Sequence, residues 1–409
     1  MMMTSVSTGA RPRRAFFWLG AMALGGLLAL GGCATPPPPT ASTEVLSFDE
    51  AMNRAADGLV TQARQQGGLL AQMGAAREAV VDGMLDASTG QQTAATERLQ
   101  GAVLARLAAG NAPVKVLPFD AASLGKSSYL LTGTLTRTQP GDDGRRQPLK
   151  LNLALTDLAS RKVVAQSSAL ARDEGVDHTP LAYYRNSPVV VKDRVIDGYV
   201  RTSTTPPGEP ADGYYMERLA VAPAVQQGTA LVNAERYQDA LGQYNTLAAG
   251  GASDQLRVLS GIYISAMKLG KTQEAQKAFD DIVRFGLANR RLGVMFLFNP
   301  GGTVFWSDPA VSGPYGMWLR EIARLSTEAK VCMNVVGHTS RTGSQAFNDT
   351  LSLDRANTVR QRLGSESAPL LERTKASGRG FRENLVGSGT DNAVDALDRR
   401  VEFLIADCQ

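Results

Sequence analysis

Apolar residues between positions 47 and 170 follow two different periods. Alternation of apolar and polar residues predicts strands at 79–85, 114–118, 128–137, 149–157 and 162–170. Helical spacing begins after Ser47, which has capping-box spacing with Glu50, and recurs over residues 93–109. A turn at 140–144, rich in glycine and aspartate, joins the third and fourth strands into a predicted hairpin. We therefore predict a mixed α/β domain over residues 47–205.

Residues 220–285 carry helical spacing instead, after a proline- and glycine-rich linker at 206–213. The small and aromatic positions of the two predicted helical hairpins are Ala230, Tyr237, Ala240, Leu241, Tyr244, Ala266, Leu269, Gly270, Ala275, Ala278 and Phe279. Their spacing resembles one and a half to two tetratricopeptide (TPR) repeats. A helical connector with a coincidental pattern is the alternative. We assign residues 214–290 to this TPR-like segment, which must pack on a neighbouring domain because so few repeats are not stable alone.

Residues 291–409 again mix strands and helices. Strands are predicted at 294–299, 331–336, 385–389 and 398–406, and a helix at 315–325. A second helix begins after Asn348, where Leu351, Arg355 and Val359 recur at helical spacing. The predicted order is βαβαββ, so the whole chain is predicted to be an α+β multidomain protein.

The polar loop between the strand at 331–336 and the following helix carries the candidate chemistry. Seven residues of this loop and the following helix form a recognisable motif, namely Gly337, Thr339, Asn348, Leu351, Ser352, Arg355 and Ala356. They resemble the signature of the OmpA-like peptidoglycan-binding domain, in which a strand is followed by G-x-T-D, an asparagine and L-S-x-x-R-A. The chain departs from this pattern at Ser340, which stands where the family has aspartate.

The resemblance implies that the site binds the end of the diaminopimelate side chain of a peptidoglycan stem peptide. In the family an aspartate receives its ammonium and an arginine, here Arg355, receives its carboxylate. Asn348 and Thr339 would orient the loop or donate to the ligand. Ser340 offers a weaker partner than a carboxylate, so Asp391 compensates, or binding is weak, or the ligand differs.

Arg399 and Arg400 match the C-terminal arginine pair of the same family. The resemblance therefore adds Arg400 to the candidate peptidoglycan-binding residues. A solvated strand face is an equally good explanation for one of the two arginines.

Composition excludes some functions. The formal net charge is +4, and removal of the first 32 residues would leave 40 basic and 39 acidic side chains. A nearly neutral protein has no electrostatic basis for binding nucleic acid. We predict no cofactor and no metal, because two cysteines beyond Cys33 are too few for a cysteine-only metal site.

Residues 1–32 have the features of a secretory signal peptide. Arginines at positions 11, 13 and 14 precede a 16-residue apolar run, which is short for a membrane span. The sequence ending in Gly31, Gly32 and Cys33 resembles a bacterial lipobox, which implies acylation of Cys33, for example with palmitate. Ala34 then implies sorting to the periplasmic face of the outer membrane. A plain secretory signal with an incidental cysteine is the alternative, and residues 33–46 form a proline-rich linker.

If Cys33 is acylated, Cys332 and Cys408 are the two remaining cysteines, and the periplasm expected from the signal peptide is oxidising. Cys332 begins one predicted strand and Cys408 follows the last one, so antiparallel pairing of these strands would bring the sulfurs together. We predict a disulfide bond, with two free buried thiols as the alternative.

The N-terminal domain carries a weaker resemblance. The segments that carry it are 80–82 (VVD), 89–93 (TGQQT), 116–119 (VLPF) and 129–134 (YLLTGT). They resemble lipoproteins that activate penicillin-binding proteins and lipoproteins of curli export.

Together these features favour a binding protein over an enzyme. The predicted function is an outer-membrane lipoprotein that binds peptidoglycan non-covalently and scaffolds a secretion, flagellar or wall-synthesis assembly through an unknown protein partner on the TPR-like helices. The alternative is a regulator that activates a peptidoglycan synthase through its N-terminal domain. Catalysis finds little support, because His178 and His338 are the only histidines and no nucleophile motif accompanies them. No catalytic residue is assigned.

Overall fold

The structure is a computed structural model that describes residues 44–66, 77–109, 114–137, 148–190, 192–387, 389, 391 and 394–408. The predicted signal peptide at 1–32, Cys33, most of the proline-rich linker and the turn at 140–144 lie outside these residues. Among the helices that are described, none combines the length and apolar character needed to cross a membrane.

The first sheet lies in the N-terminal half. Its strands are β1 (Val45–Leu46), β2 (Arg77–Val81), β3 (Leu85–Asp86), β4 (Val114–Val116), β5 (Tyr129–Arg137), β6 (Leu149–Asp157) and β7 (Lys162–Ala171). Over the described residues the order is β1-β7-β6-β5-β2-β4, with β3 also beside β5. Strands β5, β6 and β7 pair antiparallel, which confirms the predicted hairpin, whereas β2 pairs parallel with β4 and β5.

Helices cover both faces of this sheet because successive strand residues point to opposite sides. Helices α1 (Phe48–Gln66) and α2 (Ala94–Ala108) share one apolar cluster with Val81 and Leu131. The neighbouring residues Val80 and Leu130 belong to a different cluster with helix α5 (Arg194–Thr204). Short helices α3 (Ala121–Lys126), α4 (Ala182–Asn186) and α6 (Gly213–Arg218) complete this half.

Local capping chemistry begins the two long helices of this half. At α1 the Ser47 amide donates to Glu50 Oε2 over 3.1 Å, and the Glu50 amide donates to Ser47 Oγ over 3.4 Å. At α2 the Thr93 side chain accepts from the Thr96 amide over 3.3 Å. The capping box predicted at Ser47 is therefore present.

Two helical hairpins follow. They consist of α7 (Ala222–Asn233), α8 (Tyr237–Leu247), α9 (Leu256–Lys268) and α10 (Thr272–Ala288). Their apolar faces form one cluster with the C-terminal sheet, in which the Phe279 ring stacks 5.3 Å from the ring of Trp318. The hairpins therefore rest on a neighbouring part of the chain, as expected for so few repeats. The chain from Ala41 to Gln409 forms one compact unit.

The second sheet contains the strands of the C-terminal part. Its elements are β8 (Arg291–Leu297), α11 (Pro309–Ser312), α12 (Tyr315–Glu328), β9 (Cys332–Gly337), α13 (Gln345–Glu366), α14 (Leu370–Arg373), β10 (Thr374–Gly378) and β11 (Arg400–Ala406). In the part of the chain that the structure describes, the strand order is β10-β9-β11-β8. Strand β11 is antiparallel to β8 and β9, whereas β10 is parallel to β9.

The third strand of this sheet is not where the sequence predicted it. The prediction of a strand at 385–389 was wrong, because the amides of Leu385, Val386 and Gly387 donate to the carboxylate of Asp398 at 2.5, 2.9 and 2.7 Å. These amides are therefore unavailable to a sheet. The strand lies at Thr374–Gly378 instead, and its threonine, lysine, alanine, serine and glycine gave no apolar alternation.

Two smaller predictions also need correction. The predicted strand 79–85 is two short strands, because the chain leaves the sheet after Val81 and re-enters it at Leu85. The predicted linker at 206–213 is bonded along the start of β7, where the Val163 amide donates to Glu209 O over 3.0 Å.

The C-terminal sheet closes with a disulfide bond between Cys332 and Cys408, whose Cα atoms lie 5.1 Å apart. Cys332 begins β9 and pairs with Ala406 of the antiparallel strand β11. The bond therefore joins the two central strands of the sheet at one end.

Candidate functional site

The candidate loop begins where β9 meets helix α13. A Cβ atom added to Gly337 would lie 1.8 Å from the Ser352 carbonyl oxygen, so only glycine permits this close approach of strand and helix. Helix α13 begins at a serine cap, in which Ser344 Oγ accepts from the Phe347 amide over 3.3 Å. The loop 338–344 is thereby fixed at both ends.

Arg355 projects from α13 beneath this loop and is fully buried. Its guanidinium donates to three backbone carbonyl oxygens, those of Gly302, His338 and Asn299, at 2.9, 3.0 and 2.9 Å. Burial, followed by the nearby Arg399, lowers the pKa of Arg355 to about 10, so the side chain stays charged at neutral pH. Arg355 therefore joins two loops, and its predicted capture of a ligand carboxylate stays a prediction.

An acidic group lies beside Ser340 although the sequence has no acid at that position. Ser340 Oγ donates to Asp391 Oδ1 over 2.6 Å, and Thr342 Oγ1 donates to Asp391 Oδ2 over 3.3 Å. The buried Arg399 side chain forms an ion pair with Asp391 Oδ1 at 2.7 Å. The Asp391 side chain keeps 29% exposure. The structure therefore brings a carboxylate from a loop 51 residues away in sequence to the side chain of Ser340.

Two buried aspartates hold the loop that carries Asp391. Asp395 Oδ2 accepts from the Asp391 amide over 2.9 Å, and Asp398 accepts the three amides of the preceding segment. Asp391 itself has a left-handed backbone conformation with φ of 58°. Asp395 and Asp398 were not predicted as site residues, although the repeated aspartate in the segment 391–398 (DNAVDALD) was the available signal.

Asn348 and Thr339 have different partners. Asn348 Nδ2 donates to the carbonyl oxygens of Thr342 and Ser344 at 2.8 and 3.0 Å, so Asn348 orients the loop. The Thr339 carbonyl oxygen accepts a hydrogen bond from Asn384 Nδ2 over 2.9 Å, which attaches the loop to residues 379–387. The Thr339 hydroxyl is buried and has no hydrogen-bond partner among the described residues.

Arg400 points away from Asp391 toward a second polar cluster. Its Nη2 donates to Glu402 Oε1 over 3.1 Å and to the Glu383 carbonyl over 3.3 Å. Arg399 and Arg400 are 1% and 3% exposed, so the solvated-face alternative is wrong for both. Burial raises the pKa of the Glu402 carboxyl, but Arg400 and His338 outweigh this effect and hold that pKa well below its usual range. Burial lowers the pKa of His338, and Arg400 adds to this effect.

The structure therefore gathers Thr339, Ser340, Asn348, Arg355 and Asp391 around one loop. Arg400 belongs to the neighbouring cluster. The other histidine, His178, pairs with Asp173 at 2.5 Å in the N-terminal half.

No protein-family model matches this chain, and no curated protein matches it. Among solved structures, the chain is similar to the peptidoglycan-associated lipoprotein from Burkholderia pseudomallei, with 21% identity, coverage of 27% of this chain and 89% of that chain, and a TM-score of 0.23. It is also similar to the periplasmic domain of Helicobacter pylori MotB, with 18% identity, 28% and 69% coverage and a TM-score of 0.23. The OmpA-like domain of FopA1 from Francisella tularensis follows, with 14% identity, 28% and 75% coverage and a TM-score of 0.23. Because these TM-scores are low, we base no conclusion on them.

Proposed function

We propose that residues 291–409 bind the stem peptide of peptidoglycan at the Ser340 loop, with Asp391 as the acid that receives the ligand ammonium. The observation that supports this proposal is the 2.6 Å contact between Ser340 Oγ and Asp391 Oδ1. The loop motif resembles a diaminopimelate-binding site in every quoted position except 340, and Asp391 supplies a carboxylate at that position. The chain thus retains the acid while changing the residue that carries it.

The charges around Asp391 suit a zwitterionic ligand group. Asp391 is partly exposed, whereas Arg355 and Arg399 are buried, so the open side of the carboxylate can accept from an ammonium. Such a charge-assisted hydrogen bond contributes about 1.5 to 3 kcal/mol. The guanidinium groups of Arg355 and Arg399 lie near Asp391 and would attract the carboxylate of the same ligand, although the buried Asp395 offsets part of their charge. The side-chain end of diaminopimelate carries both charges.

Titration of the purified protein with a diaminopimelate-containing stem peptide tests this proposal. We expect Asp391→Asn to weaken binding by roughly tenfold to a hundredfold, which corresponds to the hydrogen bond above. The matched control is Asp354→Asn, since Asp354 is an exposed residue of α13. A stem peptide with lysine in place of diaminopimelate keeps the ammonium but lacks the carboxylate, so it should also bind less tightly. Binding by Asp391→Asn equal to that of the wild type, with an unchanged circular dichroism spectrum, would overturn the proposal.

We extend the proposal to the cell envelope. The lipobox resemblance supports anchoring through acylated Cys33 on the periplasmic face of the outer membrane. The protein would then hold peptidoglycan at one end while its helical hairpins recruit a protein partner, and it would bind rather than catalyse. Membrane fractionation tests the anchor, since Cys33→Ser should release the protein from the outer-membrane fraction. A wild-type protein found wholly in the soluble periplasmic extract would contradict it.

A further inference from the structure

A cluster of three metal-binding side chains lies next to the loop described above but is not part of its proposed ligand pocket. It consists of His338, which follows β9, Glu383 of the segment 379–387, and Glu402 of β11. One possible ligand atom from each residue lies within 4.8 Å of the other two. His338 Nε2 is 3.0 Å from Glu402 Oε1, and His338 Nδ1 is 3.9 Å from Glu383 Oε2.

The imidazole of His338 lacks the hydrogen bonds expected for a buried polar ring. The side chain is 1% exposed. Among the described residues, Nδ1 has no hydrogen-bond partner, and Nε2 has only the 3.0 Å ionic contact with Glu402. Buried polar groups normally have hydrogen-bond partners. The His338 ring instead faces two carboxylates, with Glu402 near Nε2 and Glu383 near Nδ1. A cation between the three side chains would accept a nitrogen lone pair and both carboxylates.

We propose that His338, Glu383 and Glu402 form a binding site for a divalent transition metal, with zinc as the best match. One imidazole nitrogen and two carboxylate oxygens are ordinary zinc ligands, whereas calcium and magnesium prefer sites built from oxygen alone. Three protein ligands leave a fourth position for solvent. The spacing of these residues, 45 and 19 positions apart, does not reveal the site in the sequence.

The largest ligand movement is needed at Glu383, while the 3.0 Å contact between His338 and Glu402 must open slightly. Ligands at about 2.0 to 2.2 Å from zinc lie roughly 3.3 to 3.6 Å from one another, so a cluster spanning up to 4.8 Å must contract. The Glu383 side chain is half-exposed in a turn, where its Oε1 lies 3.5 Å from Arg379 Nε; this exposed ion pair would have to give way as Glu383 moves, whereas His338 and Glu402 are held in the sheet region. The exposed side of Glu383 also provides the route by which the ion enters.

Two arginines oppose metal binding: Arg379, whose Nε lies 3.5 Å from Glu383 Oε1, and the more deeply buried Arg400. Its Nη2 donates to the same oxygen of Glu402 that lies nearest His338. Together the guanidinium groups of Arg400 and Arg379 balance the two carboxylates, so a divalent cation must displace at least one of them. Removing the guanidinium charge should therefore strengthen metal binding, whereas a structural role of Arg400 alone predicts no such gain.

The experiment is an equilibrium titration of the untagged, chelator-treated full chain with zinc sulfate against a chromophoric chelator. We expect one zinc per chain, at least a tenfold loss of affinity in Glu383→Gln, and loss of the site in His338→Gln. The matched control Glu372→Gln changes an exposed glutamate of α14 and should bind like the wild type. Magnesium and calcium should not compete at equal concentration.

Because Glu383 is half-exposed, its substitution tests the site without disturbing the core, and circular dichroism verifies that each variant is folded. Arg400→Gln should bind zinc more tightly than the wild type. The proposal is overturned if the wild type binds no stoichiometric zinc, or if Glu383→Gln and Glu372→Gln bind it equally well. Neither result depends on stem-peptide binding.

Discussion

The placement of Asp391 beside Ser340 predicts that an aspartate at position 340 destabilises the protein. Ser340→Asp replaces a hydroxyl that donates to Asp391 over 2.6 Å by a second carboxylate. The charge-assisted hydrogen bond is lost, which costs about 1.5 to 3 kcal/mol. Two carboxylates about 4 Å apart also repel each other by up to about 4 kcal/mol at an effective dielectric constant near 20. Arg399 offsets part of this repulsion, so we expect a net loss of about 2 to 4 kcal/mol at pH 7.5.

The loss should depend on pH. Two carboxylates that share one site raise the pKa of one member of the pair. Below this raised pKa one proton restores a hydrogen bond between them, so the deficit is present at pH 7.5 and shrinks as the pH falls toward 5. Urea unfolding followed by tryptophan fluorescence measures it, because Trp306 and Trp318 both lie in the C-terminal part and Trp306 contacts Arg399.

The matched variants separate charge placement from a general effect of added charge. Thr350→Asp adds an aspartate at an exposed position of α13 and should change stability by less than about 0.5 kcal/mol. The double variant Ser340→Asp with Asp391→Ser exchanges the two groups, so it should recover most of the stability and the stem-peptide affinity. The reasoning fails if Ser340→Asp alone is as stable as the wild type at pH 7.5 and binds the peptide more tightly.

Two further predictions concern the structure around the site, and a third concerns Asp280 of α10, which pairs with Arg324 of α12. Gly337→Ala should destabilise by several kcal/mol, roughly the scale of severe core substitutions, because its Cβ would meet the Ser352 carbonyl; urea unfolding measures this. Asp398→Ala should release the loop that carries Asp391, so faster amide hydrogen exchange at 385–387 and weaker peptide binding are expected together. Burial, then the neighbouring Glu321, raises the pKa of Asp280 to about 6 from an ordinary 3.8. Its stabilising contribution is therefore present below pH 4 and lost as the pH rises through 6, so wild type should lose stability relative to Asp280→Asn between pH 5 and 7.5.

Elements whose residues carry their own periodicity are predictable from the order of amino acids alone. The strand predicted at 149–157 has the observed bounds, and the helix predicted at 93–109 differs from the observed one by a single residue at each end. The capping residues Ser47 and Thr93 form their hydrogen bonds with residues only three positions further along the chain. Such elements are predictable because their side-chain pattern and their end chemistry depend on near neighbours only.

The pairing of distant segments depends on the folded chain as a whole. Strand β10 has little apolar character and forms because β9 offers it a parallel partner, while the more apolar segment 385–387 gives its amides to Asp398. The candidate site also depends on distant contacts. Asp391 contacts Ser340, which is 51 residues away in sequence, and the Arg355 guanidinium donates to three carbonyl oxygens from two loops. Local patterns do not encode these contacts, because each depends on how the sheet and its connecting loops close in three dimensions.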